Sequence, residues 1–476
     1  MFAGGQGMRK PMLVKAVVVA VIFATLFIPL SMIRGLVAER GARKQEVTQE
    51  IAASSFGRQI FAGPVLSLPY TEEYVEEVGE GRDRRVERHR IERTLRMFPA
   101  SLEATGAASV GEKHRGLFKA RTYTWRASAR GEFVLDGRIA IERTRADSRI
   151  IWGEPLVSIL LSDPRGLASA PVFEWAGQRI AFERGSGVPG MPSGLHAAVE
   201  VDPTKAQRLP FSLQIALQGT ESLGIVPLAD NNQVSLESEW RHPSFGGQFL
   251  PQPETQRIGK DGFVAEWRVT ALGSSAQQQM QAAFGGPERG LASAERLDVA
   301  FIDPIDIYAL SDRALKYGFL FIVLTFACFA LFEVRKGLRI HPAQYGLVGL
   351  ALAVFFLLLL ALSEHLMFWI AYLIAAIACI ALIGFYLSSV LHSVSRGASC
   401  ALMLTALYSA LYAMLISEDN ALLFGSLLVF GVLAIAMVLT RNVDWYREGS
   451  PRDAPKEMPA YSVGHAGAPS AMNRTN

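Results

Sequence analysis

Four places in the sequence carry side chains that can do chemistry. In "SEH" (363–365), Glu364 stands beside His365 between two apolar stretches, a pairing suited to relaying protons or holding a cation. "FIDPIDIYALSDRALK" (301–316) sets Asp303 and Asp306 three apart, a spacing open to a metal ion, and follows them with Arg313 and Lys316. "RHPSFGGQFLP" (241–251) offers Arg241 and His242 at the mouth of a shaped loop, with proline near each end and Gly246-Gly247 to allow a tight bend. "RIHPAQYG" (339–346) carries His341.

Each place also has a plainer reading, and the plainer one is preferred. Glu364 and His365 have almost no chain left over to turn, and the headgroup layer of a bilayer tolerates charge. In 301–316, Pro304 keeps the chain extended, Ser311 is placed as a helix N-cap, and Asp312 favours the positive end of the helix. Arg313 and Lys316 then reach outward to headgroups while their stems enter lipid, and Asp303 and Asp306 clamp the preceding domain onto the helices. Pro342 suits a first helical turn, so His341 ends a loop and Tyr345 lies at the membrane interface. The 241–251 loop reads as a packing feature.

The catalytic patterns HExxH, GxSxG, CxxC and GxxxxGK[ST] are absent, and His89, His114, His196 and His242 show no metal-ligand spacing. The sequence therefore names no catalytic residue, no cofactor and no metal, and points to a protein that is not an enzyme.

These residues are positioned by long apolar helices. Half of the 476 residues are hydrophobic, and the excess sits in one block near the N-terminus and a second from about 315 to 440. Six windows are long enough to cross a bilayer, which takes about 20 residues in helix: Ala16–Ile33, Leu315–Phe332, Gly346–Ser363, Leu366–Val390, Ala398–Ile416 and Ala421–Thr440. Pro29 bends the first. Arg9, Lys10, Arg335, Lys336, Arg339, Arg396, Arg441, Arg447 and Arg452 fall in alternate loops and at both ends, while "SEH" and "SEDN" carry no Lys or Arg. That asymmetry predicts cytoplasmic termini and residues 35–314 on the far side. "SMIRGLVAERGARKQ" (31–45) has no small-x-small cleavage pattern, so the first span reads as an uncleaved anchor.

Cys328, Cys379 and Cys400 all lie in predicted spans, so the insert is held by a packed core without disulfides. Its acids and bases nearly balance, which argues against nucleic acid. Residues 38–57 read as a helical stalk and "GPVLSLPY" (63–70) as a short strand bounded by prolines. The acidic run 72–80 and the basic run 82–96, with Gly79 and Gly81 between them, predict a hairpin of opposed charges in preference to an anionic-lipid patch. Alternating stretches at 120–135, 171–183, 211–219, 232–240 and 261–269 predict sandwich-like β sheet, and "GSGVPGMPSG" (185–194) can divide it into two lobes. The expected architecture is a cytoplasmic N-terminus and first transmembrane helix (1–34), a β-rich exported domain (35–314), a five-helix bundle (315–440) and a disordered tail (441–476).

"YALSDRALKYGFLFIVLTFACFALFE", "IHPAQYGLVGLALAVFFLLLLALSEH" and "LTRNVDWY" resemble the membrane region of the CreD family of Gram-negative inner-membrane proteins, and "SEWRHPSFGGQFLP" and "GPVLSLPY" resemble its periplasmic motifs. The resemblance implies a role in envelope integrity, colicin tolerance and the response to envelope or β-lactam stress under a two-component system. It carries over no catalytic residues. The leading expectation is a non-enzymatic membrane protein whose periplasmic domain binds an envelope protein or lipid, with the bilayer itself as the other partner. The rivals are a transporter or lipid-handling protein, and an intramembrane enzyme using Glu364 and His365.

Overall fold

Apolar residues alternate with polar ones along most of the chain between 59 and 301, and that period of two builds strands with one buried face. The computed structural model describes residues 10–78, 85–137, 139–284, 290–303, 306–336, 341–417 and 420–441. The turn at Gly79 and Gly81, Pro304, the Cys328 side chain and the tail lie outside the described residues. Residues divide into two units, Val37–Ala309 and the remainder before Leu36 and after Leu310.

The first unit holds two sheets. One joins β1 (Gln59–Val78), β2 (Arg85–Met97), β5 (Arg149–Trp152), β6 (Leu156–Leu161), β9 (Glu183–Arg184), β10 (Gly194–Ala198), β12 (Ser222–Val226), β14 (Pro243–Gly247) and β17 (Leu297–Phe301). The other joins β3 (Ser101–Arg115), β4 (Phe118–Asp136), β7 (Val172–Trp175), β8 (Gln178–Ile180), β11 (Ala206–Thr220), β13 (Asn231–Ser238), β15 (Arg257–Gly259) and β16 (Gly262–Thr270). Pairing is antiparallel except for β1 with β12 and β3 with β13. Inward residues of both sheets form one core, in which Phe61 meets Trp125 at 5.7 Å, Tyr123 meets Phe301 at 4.9 Å and Phe245 meets Trp267 at 5.7 Å. Burying each such ring contributes about 1.5–3 kcal/mol. The first sheet's outer face is covered in part by α3 (Ala276–Phe284), whose Met280, Ala283 and Phe284 pack with Val65, Leu160 and Val226.

Several local expectations change. The strand at 63–70 does not stop at its prolines: β1 runs through both, and Pro64 sits where the pairing with β6 shifts register between Ala62 and Val65. The acidic and basic runs do pair as a hairpin. Their charges are only partly opposed, however, because Glu73 faces Arg90 while Glu76 faces Glu87. The stretch 171–183 folds as a short hairpin, since Ala176 and Gly177 adopt φ of 49° and 85° and reverse the chain. Residues 185–194 close a loop between β9 and β10. Gly185 N–H donates to the Gly194 carbonyl at 3.0 Å, and Val188 and Met191 are buried within the unit. "PSFGG" is an edge strand, β14, paired with β17.

The other unit is helical. α1 (Lys10–Thr25) stops at Leu26 before α2 (Phe27–Ser54), which contains the predicted stalk. The break falls one turn ahead of Pro29, whose missing N–H leaves the Thr25 carbonyl without its helical donor. α4 (Ile307–Lys336), α5 (Pro342–Ser363), α6 (Phe368–Val390), α7 (Val394–Ile416) and α8 (Ala421–Thr440) follow. α1 packs on α5, α5 on α6, α6 on α7 and α7 on α8. Gly349 makes room for Leu26, since a Cβ there would lie 2.2 Å from the leucine Cδ1. Against an expectation of six spans, four stretches among the described residues are long and apolar enough to cross a membrane: Val17–Ser54, Pro342–Ser363, Phe368–Val390 and Val394–Ile416. The apolar middle of α4 lies between Lys316 and Glu333, and the described apolar stretch of α8, Leu422–Ile435, is shorter.

Gly131 tests the sandwich packing. A Cβ at this position would lie 2.1 Å from the Ser101 carbonyl and 2.6 Å from the Phe211 ring. Gly131→Ala is expected to destabilise the β unit by about 1–3 kcal/mol, read as a lowered thermal midpoint of the purified protein.

Candidate functional site

Two of the motifs singled out above converge on a residue that sequence reasoning passed over. In the β3–β4 ladder Glu112 stands directly opposite Arg121. The Arg121 side chain, 16% exposed, donates through Nε to Asp303 Oδ1 at 2.9 Å, through Nη2 to the same oxygen, and through Nη1 to Glu112 Oε1. Its Cζ lies 4.6 Å from the centre of the Trp240 ring, a cation–π contact. Trp240 is held in turn by its Nε1–H, which donates to the His242 carbonyl at 2.9 Å. Lys119 Nζ completes the cluster, 3.7 Å from Glu112 and 3.9 Å from Asp303. Arg121 thus ties the segment after β17 to the segment after β13. Arg241 and His242 are exposed; the His242 carbonyl accepts from Trp240 and its ring meets the Trp240 ring edge-on at 6.3 Å.

Asp306 does the capping expected of Ser311. It accepts from Tyr308 N–H at 3.2 Å at the start of α4 and pairs with Lys44 Nζ at 3.3 Å. The helix begins a turn earlier than expected because a carboxylate caps as well as a hydroxyl and stands first in the chain. Ser311 is consequently buried inside the helix, and its Oγ has no described partner. The cations that face Asp303 and Asp306, namely Arg121, Lys119 and Lys44, belong to the same unit as the acids. These bonds brace the β unit internally, in place of the clamp onto the helices that was expected. Among the described residues no group of three or more His, Cys, Asp or Glu is gathered for a metal.

In the helical unit, Asp312 bonds Lys316 at 2.8 Å and Arg34 at 3.2 Å. Arg313 turns inward and donates to the Leu415 carbonyl at 3.2 Å, near the end of α7, where a cation complements the helix dipole. Lys316 remains 56% exposed, but its charge goes to Asp312. His341 is the N-cap of α5 in a reciprocal box: its ring accepts from Ala343 N–H and the Gln344 side chain accepts from His341 N–H. Tyr345 is buried against neighbouring helices and donates to Glu333 Oε2 at 3.0 Å. Glu333 also pairs with Lys15. Glu364 is half-buried at the end of α5 and His365 is exposed in the turn that follows. Lys15 and Glu333 escaped the sequence reading because each stands one residue outside an apolar window.

Glu72 is the other missed group. Its carboxylate is fully buried and accepts from Thr144 N–H at 2.7 Å, Thr144 Oγ1 at 2.9 Å, Arg145 N–H at 3.2 Å and Arg93 Nη1 at 2.8 Å. Burial pushes its pKa up, but hydrogen bonds from Ser148, Arg145 and Thr144 outweigh burial and lower it from 4.5 to about 2. A carboxyl depressed on folding adds stability that is complete above pH 4.5 and is lost as pH falls through about 2. Glu72→Gln should lower the thermal midpoint at pH 7 and flatten its fall across that acid window, as measured by melting curves at stepped pH.

Comparison with known proteins now bears on this arrangement. The family model described as inner membrane protein CreD matches residues 11–446. The chain is 33% identical over 434 residues to the inner membrane protein CreD of Escherichia coli (strain K12), covering 91% of this chain and 94% of the relative. With its apolar helices joined to a large two-sheet β unit, the chain belongs to the CreD family of inner membrane proteins.

Proposed function

We propose that the protein crosses the inner membrane six times, with both termini in the cytoplasm and residues 35–314 in the periplasm, and that it supports envelope integrity and the envelope-stress response by binding rather than by catalysis. The observation that carries this reading is how the reactive groups are spent. Asp303, Asp306, Glu112, Arg121 and Lys44 are paired with one another, and Glu72 and His341 are held in capping and loop-bracing bonds. Groups so engaged stabilise a scaffold, which supports binding over catalysis. The partner of the β unit on this reading is a periplasmic or envelope protein, or a lipid.

A second reading, lipid handling, is favoured by one feature. Between α6 and α7 lies an open apolar groove of about 730 Å³ lined by Tyr372, Ala376, Gly384, Gly397, Ala401 and Tyr408 among others, dimensions that suit an acyl chain. Native mass spectrometry decides for this reading if a stoichiometric lipid stays bound, and against it if the protein flies empty.

The scaffold reading is tested by two variants in cells lacking the native protein. Arg121→Ala removes the guanidinium that joins Asp303 and Glu112 and leaves them only Lys119, 3.9 and 3.7 Å away; it is expected to cost about 1–3 kcal/mol and should weaken protection against envelope stress. Glu364→Gln should leave protection and protein level unchanged; loss of protection at a normal level would establish the intramembrane-enzyme reading instead. A reporter fused near Gly190 should report the periplasm.

A further inference from the structure

β2 is used along one edge only. Its thirteen residues pair with β1 from Leu66 opposite Met97 to Val78 opposite Arg85, and among the described residues no strand pairs with its other side. The one described contact to its backbone from another element is at its far end, where Gln281 Nε2 donates to the Arg96 carbonyl. Such an edge presents a row of unmade backbone hydrogen bonds and invites another strand.

The side chains restrict which strand that can be. β2 carries Arg85, Arg88, Arg90, Arg93 and Arg96 against Glu87 and Glu92. Arg90 lies 4.0 Å from Glu73 and Arg93 is bound to Glu72. Arg85 and Arg88 instead face Val78 and Val75 across the ladder and have no carboxylate directly opposite them on β1. A second copy of β2 is the competing occupant: the symmetric antiparallel register centred on Ile91 pairs all thirteen residues and sets Arg90 against Glu92, whereas those centred on residues 88, 89 or 90 set arginine against arginine, which is destabilising. β1 shows what does fit: beyond the Glu73–Arg90 pair, its Tyr74 ring stacks on His89 at 5.0 Å and Glu76 lies 3.4 Å from His89 Nε2.

We infer that the free edge of β2 is a strand-addition site for an extended acidic segment of a partner protein. Backbone bonds along the edge supply affinity, Arg85 and Arg88 select for carboxylates, and the excess of five arginines over two glutamates on β2 favours an acidic strand over a second copy of equal positive charge. The inference rests on the partner-binding reading above. Its test uses purified protein, so failure here leaves the envelope assay standing, and failure there leaves the binding measurement interpretable.

The probe is a fluorescent peptide with the sequence YTEEYVEEV, copied from residues 70–78, which in a register slipped two residues from that of β1 sets the glutamates copied from 73 and 76 opposite Arg88 and Arg85; it is titrated against the full chain in neutral detergent micelles. Binding is expected, weakened about tenfold or more by Arg85→Glu with Arg88→Glu and lost when alternate peptide amides are N-methylated. Both arginines are exposed, and the N-methylated probe tests the wild-type chain, so the result does not depend on a variant folding. Absence of binding overturns the inference. So does equal binding of the N-methylated peptide, which would mean charge attraction alone, or displacement of the peptide by phosphatidylglycerol vesicles at far lower concentration, which would mean a lipid surface.

Discussion

One strand holds the β unit together. β1 makes ladder bonds in turn to β12, β6, β2 and β5, so four strands from separate parts of the chain depend on its backbone. Its inward Phe61, Leu66 and Leu68 fill the space between the sheets, and its outward Ala62 and Val65 lie in the second cluster with α3. A strand buried on both faces must read as nearly continuous apolar sequence, and the first half of β1 does. Its second half, from Thr71 on, turns acidic as the hairpin with β2, paired from Leu66 onward, runs out towards its turn.

Charges in this protein gather at seams. Arg121 is shared by two carboxylates and covered by an indole, Glu72 is wrapped by a loop that reaches it from Thr144 and Arg145, and Glu333 is held by Lys15 and Tyr345. Partly buried ions gain little over apolar packing when complete, but removing one partner leaves a desolvated charge behind. Such groups therefore specify how segments meet more than they add to stability. That is the sense in which Asp303 and Asp306 matter: they fix the end of the β unit to the β3–β4 hairpin and to the stalk residue Lys44.

Much of this was legible in advance. The alternating stretches at 120–135, 211–219, 232–240 and 261–269 each became a strand, the stalk helix ended at Ser54, and the resemblance read from the membrane and loop motifs matched a family model over residues 11–446. The errors share a cause. Pro64, Pro69 and Ser311 were read as boundaries from their local preferences, yet a register shift, a continued ladder and an earlier cap at Asp306 decided otherwise. Of the candidate residues, Asp303 and the 240–242 segment do meet, through Arg121. Arginine on an alternating strand gave no sign of that, because its neighbours lie far away along the chain.

By itself the sequence determined what is set by neighbours in the chain: which stretches are apolar enough for lipid, which alternate as strands, and where caps and turns are available. These follow from periodicity, because the side chains of one helix or strand share a face at fixed short intervals. Only the tertiary structure decided which strands lie side by side, which edge of β2 stays open, and which carboxylate each buried cation meets. Those choices depend on residues far apart in sequence, whose attraction acts only after packing has brought them within a few ångströms and removed the water between them.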